Sequence, residues 1–165
     1  MWFSLDPSNK VVEVSPDWDD AARDRGGAAM LRQGVVGRSL WDFVNGSETR
    51  SYLNALFFWS RQTGRTLVLP YRCDAPGLRR DCQMMISAAD AGGLEVRHEL
   101  LGVAEVPGHH LLPPGSAARQ CSQCLNWDSP DGWYDRTLSV PARDLFVHYV
   151  ICPSCRQAAN RAVGG

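Results

Sequence analysis

The chain has 165 residues, with 17 Lys and Arg against 18 Asp and Glu and 44% hydrophobic residues, which suits one ordinary globular domain with a small second unit. A net charge of -1 excludes a protein whose main task is to coat nucleic acid or an anionic bilayer, because both need a clear excess of cationic side chains. No uncharged stretch approaches the ~18 apolar residues of a spanning helix, and no basic segment leads into an apolar one at the start, so a soluble cytoplasmic protein with no membrane partner is expected.

In chain order, Trp2-Phe3-Ser4-Leu5 and Val11-Val12-Glu13-Val14 read as two strands of a hairpin around the turn Asp6-Pro7-Ser8-Asn9. A helix is predicted next, with Ser15 as its cap and Pro16 at the first helical position, where the missing N–H costs nothing. Trp18 and Ala22 share one face of it. A longer helix follows Asn45-Gly46, with Ser47 as cap, and runs to about Gln62 before Gly64 stops it. Tyr52, Leu53, Leu56 and Phe57 form its apolar stripe.

The period then changes to two. Leu67, Leu69, Tyr71 and Cys73 alternate with polar neighbours, residues 74–77 turn, and Arg80, Cys82, Met84 and Ile86 alternate back. Pro70 has no N–H to donate, which assigns its strand to a sheet edge. A third strand runs from Leu94 to Val103 after Ala91-Gly92-Gly93. With 74–77 as the turn, Cys73 opposes Leu78 and Cys82 opposes Leu69, about 13 Å apart by strand rise, too far for a disulfide. The organisation expected is a domain at 1–106, a linker at 107–118 through Pro113-Pro114-Gly115-Ser116, a module at 119–156 and a tail at 157–165.

Two strands, a helical crossover of about 50 residues and a three-strand meander, together with Val36-Gly37-Arg38-Ser39-Leu40-Trp41-Asp42-Phe43 ahead of the long helix, resemble the PAS sensory domain. The resemblance covers roughly residues 1–105. It implies an α+β fold, a curved five-stranded antiparallel sheet whose concave face is covered by the helices and encloses a small pocket. It also implies neither flavin nor haem: the Gly-Arg segment lacks the cysteine of photoactive flavin members, and residues 47–62 lack a histidine. Trp41, Phe57, Met84 and His98 are the candidate pocket residues, either filling the core or surrounding an unidentified small apolar ligand. His98 shares a strand face with Leu94, Val96 and Leu100 and so points inward, as a core histidine or as a ligand contact.

The strongest chemical signal is Cys121-Ser122-Gln123-Cys124 and Cys152-Pro153-Ser154-Cys155, two C-x-x-C pairs separated by 27 residues. Each pair offers two thiolates from one tight turn, and two such turns complete a tetrahedron around Zn²⁺. With four sulfurs there is no open position for water, so the ion would be structural. Between the pairs, Trp127 to Trp133 reads as a hairpin with an Asp-Gly turn, and Phe146 to Ile151 as a strand. The segment resembles the zinc-binding tail that follows some bacterial PAS domains, matching at the cysteine pairs, Gly132-Trp133, Phe146 and Ile151. His148 stands four residues before Cys152 where that pattern has three, which leaves it a surface residue or a support for a ligand.

Other uses of the cysteines are disfavoured. Arg136, Arg143, Arg156 and Arg161 are balanced by Asp128, Asp131, Asp135 and Asp144, a poor surface for phosphates. A zinc deaminase needs H-x-E and P-C-x-x-C, but Ile151 precedes Cys152. The expectation is a non-enzymatic sensory or adaptor protein acting through protein contact, as a homodimer or on a separate effector. A thiol-based redox or metal sensor is the alternative, and a nucleic-acid-binding zinc protein the third reading.

Overall fold

The computed structural model describes residues 1–24, 27, 30–75, 77–105, 117–135 and 146–164. Strands β1 (Trp2–Leu5) and β2 (Val11–Val14) form the expected hairpin. Its turn is tied by Asp6, whose Oδ1 accepts from the N–H of Ser8 at 2.8 Å and of Lys10 at 2.9 Å. Phe3, Leu5, Val11 and Val14 are buried.

Helix α1 (Trp18–Asp24) begins two residues later than Pro16. Ser15 is not its cap: the Ser15 hydroxyl accepts from the N–H of Trp2 at 3.2 Å, and the Ser15 N–H donates to the Trp2 carbonyl at 2.9 Å. The residue that looked like a helix signal therefore fastens the start of the chain to the end of β2. A one-turn helix α2 (Arg32–Val35) and a 3₁₀ turn at Leu40–Asp42 follow. Ser39 caps that turn by accepting from the N–H of Trp41.

Helix α3 (Ser47–Thr63) is capped by Gly46 rather than by Ser47, which is its first helical residue. Gly46 holds φ of 82°, and a Cβ there would lie 2.8 Å from the carbonyl oxygen of Tyr149, so glycine is required both by conformation and by that close approach. Gly64 ends the helix in the left-handed region. Of the predicted stripe, Leu56 and Phe57 reach the core, whereas Tyr52 and Leu53 stay half-buried.

Strands β3 (Leu67–Arg72), β4 (Leu78–Ala88) and β5 (Leu94–Glu105) make an antiparallel meander, and β5 pairs with β1. The five-stranded order is β2-β1-β5-β4-β3, so β3 is the edge strand that Pro70 requires. The register of β3 on β4 differs from the sequence reading. Tyr71 opposes Cys82, and the Cys73 N–H donates to the Arg80 carbonyl, so the hairpin closes two residues tighter than expected. Cys73 and Cys82 thus occupy diagonal positions, about 7–8 Å apart rather than 13 Å.

A slip between Asp81 and Cys82 leaves Leu101 as an extra residue on β5. Leu100 does not share the burial of Leu94 and Val96, because it is 54% exposed at the end of the sheet beyond the main core. That core is built from Phe57, Leu5, Leu67, Leu69, Ile86, Leu94 and Val96.

Cys121 ends the first strand of a second sheet, made of β6 (Ala117–Cys121), β7 (Trp127–Ser129), β8 (Gly132–Tyr134) and β9 (Phe146–Val150), in the order β8-β7-β6-β9. Its hairpin turns at Pro130-Asp131, with Ser129 opposite Gly132, and β6 pairs with β9 in parallel. Strand β6 starts inside the expected linker, the rest of which lies outside the described residues, as do Arg136, Arg143 and Asp144. Residues 157–164, assigned to the tail, continue helix α4 (Pro153–Gly164), whose Ala159 is buried in the core of the first sheet. The helix forms because its Ala, Arg, Gln and Asn run has no interruption before Gly164, and Pro153 sits at its first position.

Candidate metal centre

Each cysteine pair is presented by a short backbone turn. In the first, the Leu125 N–H donates to the Cys121 carbonyl at 3.0 Å, the Cys121 N–H donates to the Asn126 carbonyl at 2.9 Å, and Leu125 adopts φ of 60°. In the second, Cys152 stands at the start of α4, the Arg156 N–H donates to its carbonyl at 3.1 Å, and Cys155 lies in the first helical turn. The parallel pairing of β6 with β9 sets Cys121 beside Val150 and so brings the two turns together.

The four Sγ atoms of Cys121, Cys124, Cys152 and Cys155 lie within 4.8 Å of one another, with Cys124 and Cys152 at 3.6 Å. A tetrahedron with metal–sulfur distances of ~2.3 Å has edges of about 3.8 Å. The sulfurs therefore fit a single four-coordinate ion. Cys121 and Cys152 are fully buried, while Cys124 and Cys155 are half-buried. The Cys152 N–H donates to the Cys121 sulfur at 3.4 Å, the kind of bond that stabilises a thiolate.

The electrostatics point the same way. Thiol hydrogen bonds from Cys124 and Cys155, with the Cys152 N–H, hold the Cys121 thiol far below its usual range. Donation to Cys121 pushes Cys124 up to about 12 and raises Cys155 further. Like charges this close oppose one another unless a cation lies between them. Tyr52 of α3 lies by the same centre: burial, and after it the nearby negative sulfur, raise its phenol above the ordinary range.

The module is fastened to the first sheet at two places that the sequence did not reveal. At the start of α3, the Thr49 and Ser122 hydroxyls share a hydrogen bond, and Glu48 accepts from the Arg156 guanidinium at 2.6 Å and from the Ile151 N–H at 3.5 Å. At the edge of β3, the Arg72 N–H donates to the Gln123 carbonyl at 2.6 Å. The buried Arg72 guanidinium is paired with Asp74 and Asp135, and Asp135 also binds Arg79. Apart from Arg72 and Asp74, these partners are more than 50 residues apart along the chain, and no local pattern announces them. Gln123 is buried, and its Oε1 has no hydrogen-bond partner among the described residues.

The candidate pocket residues fall into two groups. Trp41 stacks on Phe57 with ring centroids 6.0 Å apart. Met84 opposes His98 across β4 and β5, and the His98 ring stacks on Phe3 at 5.7 Å and meets Tyr71 edge-on at 5.4 Å. His148 is exposed on β9, opposite Arg119. The described helices include none long and apolar enough to cross a membrane. No family model, curated protein or solved structure matches the chain.

Proposed function

We propose that the chain is a non-enzymatic cytoplasmic signalling or adaptor protein in which a PAS-like domain carries a structural zinc centre. The observation that carries the proposal is the convergence of four cysteine sulfurs, and of no other ligand type, within 4.8 Å. An all-sulfur set suits Zn²⁺ and leaves no coordination position for a reacting water. The PAS reading is supported by the hairpin β1-β2, the helical crossover and the meander β3-β4-β5 closing back onto β1. Cys121, Cys124, Cys152 and Cys155 would hold the ion, and signal would pass by contact with a second copy or a separate effector.

Native mass spectrometry with elemental analysis tests the centre: one zinc per chain is expected, and a preparation with none that stays fully folded overturns it. An absorption spectrum tests the absence of haem and flavin, since a Soret or flavin band would contradict it. A second reading, a thiol redox sensor, is favoured by the half-buried state of Cys124 and Cys155, which leaves two ligands within reach of an oxidant. Rapid zinc loss under mild peroxide, reversed by a reducing thiol, would select it.

A further inference from the structure

We propose that the cysteine module and α4 form a metal-held strap over the first sheet, so that occupancy of the centre decides whether the edge of β3 and the start of α3 are covered. The inference rests on the metal reading above and goes beyond it, from a static support to a two-state device.

The second cysteine pair is continuous with α4, because Cys152 and Cys155 bracket its first turn and Ala159, Ala162 and Val163 of the same helix pack on the first core. The first pair is continuous with the β3 contact, because Gln123 lies between Cys121 and Cys124 and its carbonyl takes the outward N–H of Arg72. One ion therefore ties both ends of the strap. Without it, little else holds the strap in shape. Strands β7 and β8 have three residues each, and among the described residues the module's own buried apolar side chains are Val150, Ile151 and the two inner cysteines. A unit with so small a core is held folded chiefly by its metal.

The seat combines a firm part, the buried Arg72 guanidinium on Asp135 and Ala159 of α4 in the core, with weaker ones. The Glu48–Arg156 and Arg79–Asp135 pairs are partly exposed, and such pairs contribute little. Gln123 Oε1, which has no partner among the described residues, works against the docked state. The first sheet, in contrast, has a core of its own in Phe57, Leu67, Leu69, Ile86 and Leu94, supplied by α3 and its own strands. Losing the ion thus lifts the strap and leaves the sheet, and by linkage the contacts that seat the strap also raise the affinity for the ion.

The test uses the full chain loaded with zinc and then stripped by chelator under reducing conditions, with hydrogen exchange followed by peptide. Amides of β3 and α4 and those at residues 47–52 should exchange at least about tenfold faster after stripping, a change of about 1.4 kcal/mol in local opening. Amides of β1, β4 and residues 94–98 of β5 should change far less. The reciprocal test is Asp135→Asn, which keeps all four sulfurs and should release zinc to a chromophoric chelator about threefold to tenfold faster. A chain that takes up no zinc overturns the metal reading and the strap together. A chain that binds and releases zinc with unchanged exchange in β3 and α4 overturns the strap alone, as does uniform loss of protection over the whole sheet.

Discussion

The first sheet and the cysteine module solve the same problem, holding a chain in place, with different means. The sheet buries large apolar side chains from every strand and from α3, with Phe57, Leu67, Ile86 and Leu94 each at most 1% exposed. Its stability is spread over many contacts, each replaceable at a few kcal/mol. The module has short strands, and its inner positions are sulfur. Its stability is concentrated at one point. The difference teaches where damage is graded and where it is all-or-none.

The largest expected effect is therefore at the centre. Cys121→Ser removes a fully buried ligand, leaving three sulfurs for an ion whose binding to such sites is worth about 10–16 kcal/mol. Zinc content by elemental analysis should fall from one per chain towards zero, and amides of β6 and β9 should lose protection. Retention of stoichiometric zinc would break the contrast between the regions. Next comes the core of the sheet. Phe57→Ala should cost about 3–5 kcal/mol, read from the denaturant midpoint, while Phe58→Ala, at a neighbouring position 62% exposed, should stay within about 0.5 kcal/mol. Equal shifts for the two would mean that the buried stripe is not what stabilises the sheet.

What could be read from the sequence follows the same division. Features set by local chemistry were legible: the strand alternation of 67–72, the edge position imposed by Pro70, the glycine that ends α3, and the spacing that brings four sulfurs together. Features set by distant partners were not. Ser15 reads as a helix cap until Trp2 is known to lie beside it. The β3–β4 register slipped by two residues because the turn at 74–77 allows more than one closure, and the Leu101 bulge has no sequence mark. Helix α4 lacked a strong apolar period, since only Ala159, Ala162 and Val163 face the core. The parallel pairing of β6 with β9 and the Arg72–Asp135 contact join segments whose separation carries no signal.

A smaller effect sharpens the comparison at the boundary between the regions. Gly46→Ala places a Cβ 2.8 Å from the Tyr149 carbonyl at a φ of 82°, a strain of about 1–3 kcal/mol. Because Gly46 starts α3 and Tyr149 lies on β9, the cost should appear in both regions, as a lower thermal midpoint and as faster zinc release. A loss confined to the sheet would show that the two are fastened elsewhere.

The smallest effect concerns acid. Protons compete with zinc for the thiolates, so the module should release its ion on mild acidification, whereas the turn between β1 and β2 responds only in stronger acid. The N–H of Lys10 and the hydroxyl of Ser8 hold the Asp6 carboxyl below its ordinary value of 3.8. Since the folded value is the lower one, the turn's contribution is fully present above the unfolded value and is lost as pH falls through the folded one. Asp6→Asn keeps an acceptor for both N–H groups but loses the charge, so it should lie slightly below the parent in stability near neutral pH. The two should converge once Asp6 is protonated. Denaturant midpoints measured for both proteins, stripped of zinc, across the acid range decide the point: a gap that stays constant below pH of about 3 would show that charge on Asp6 does not hold the turn.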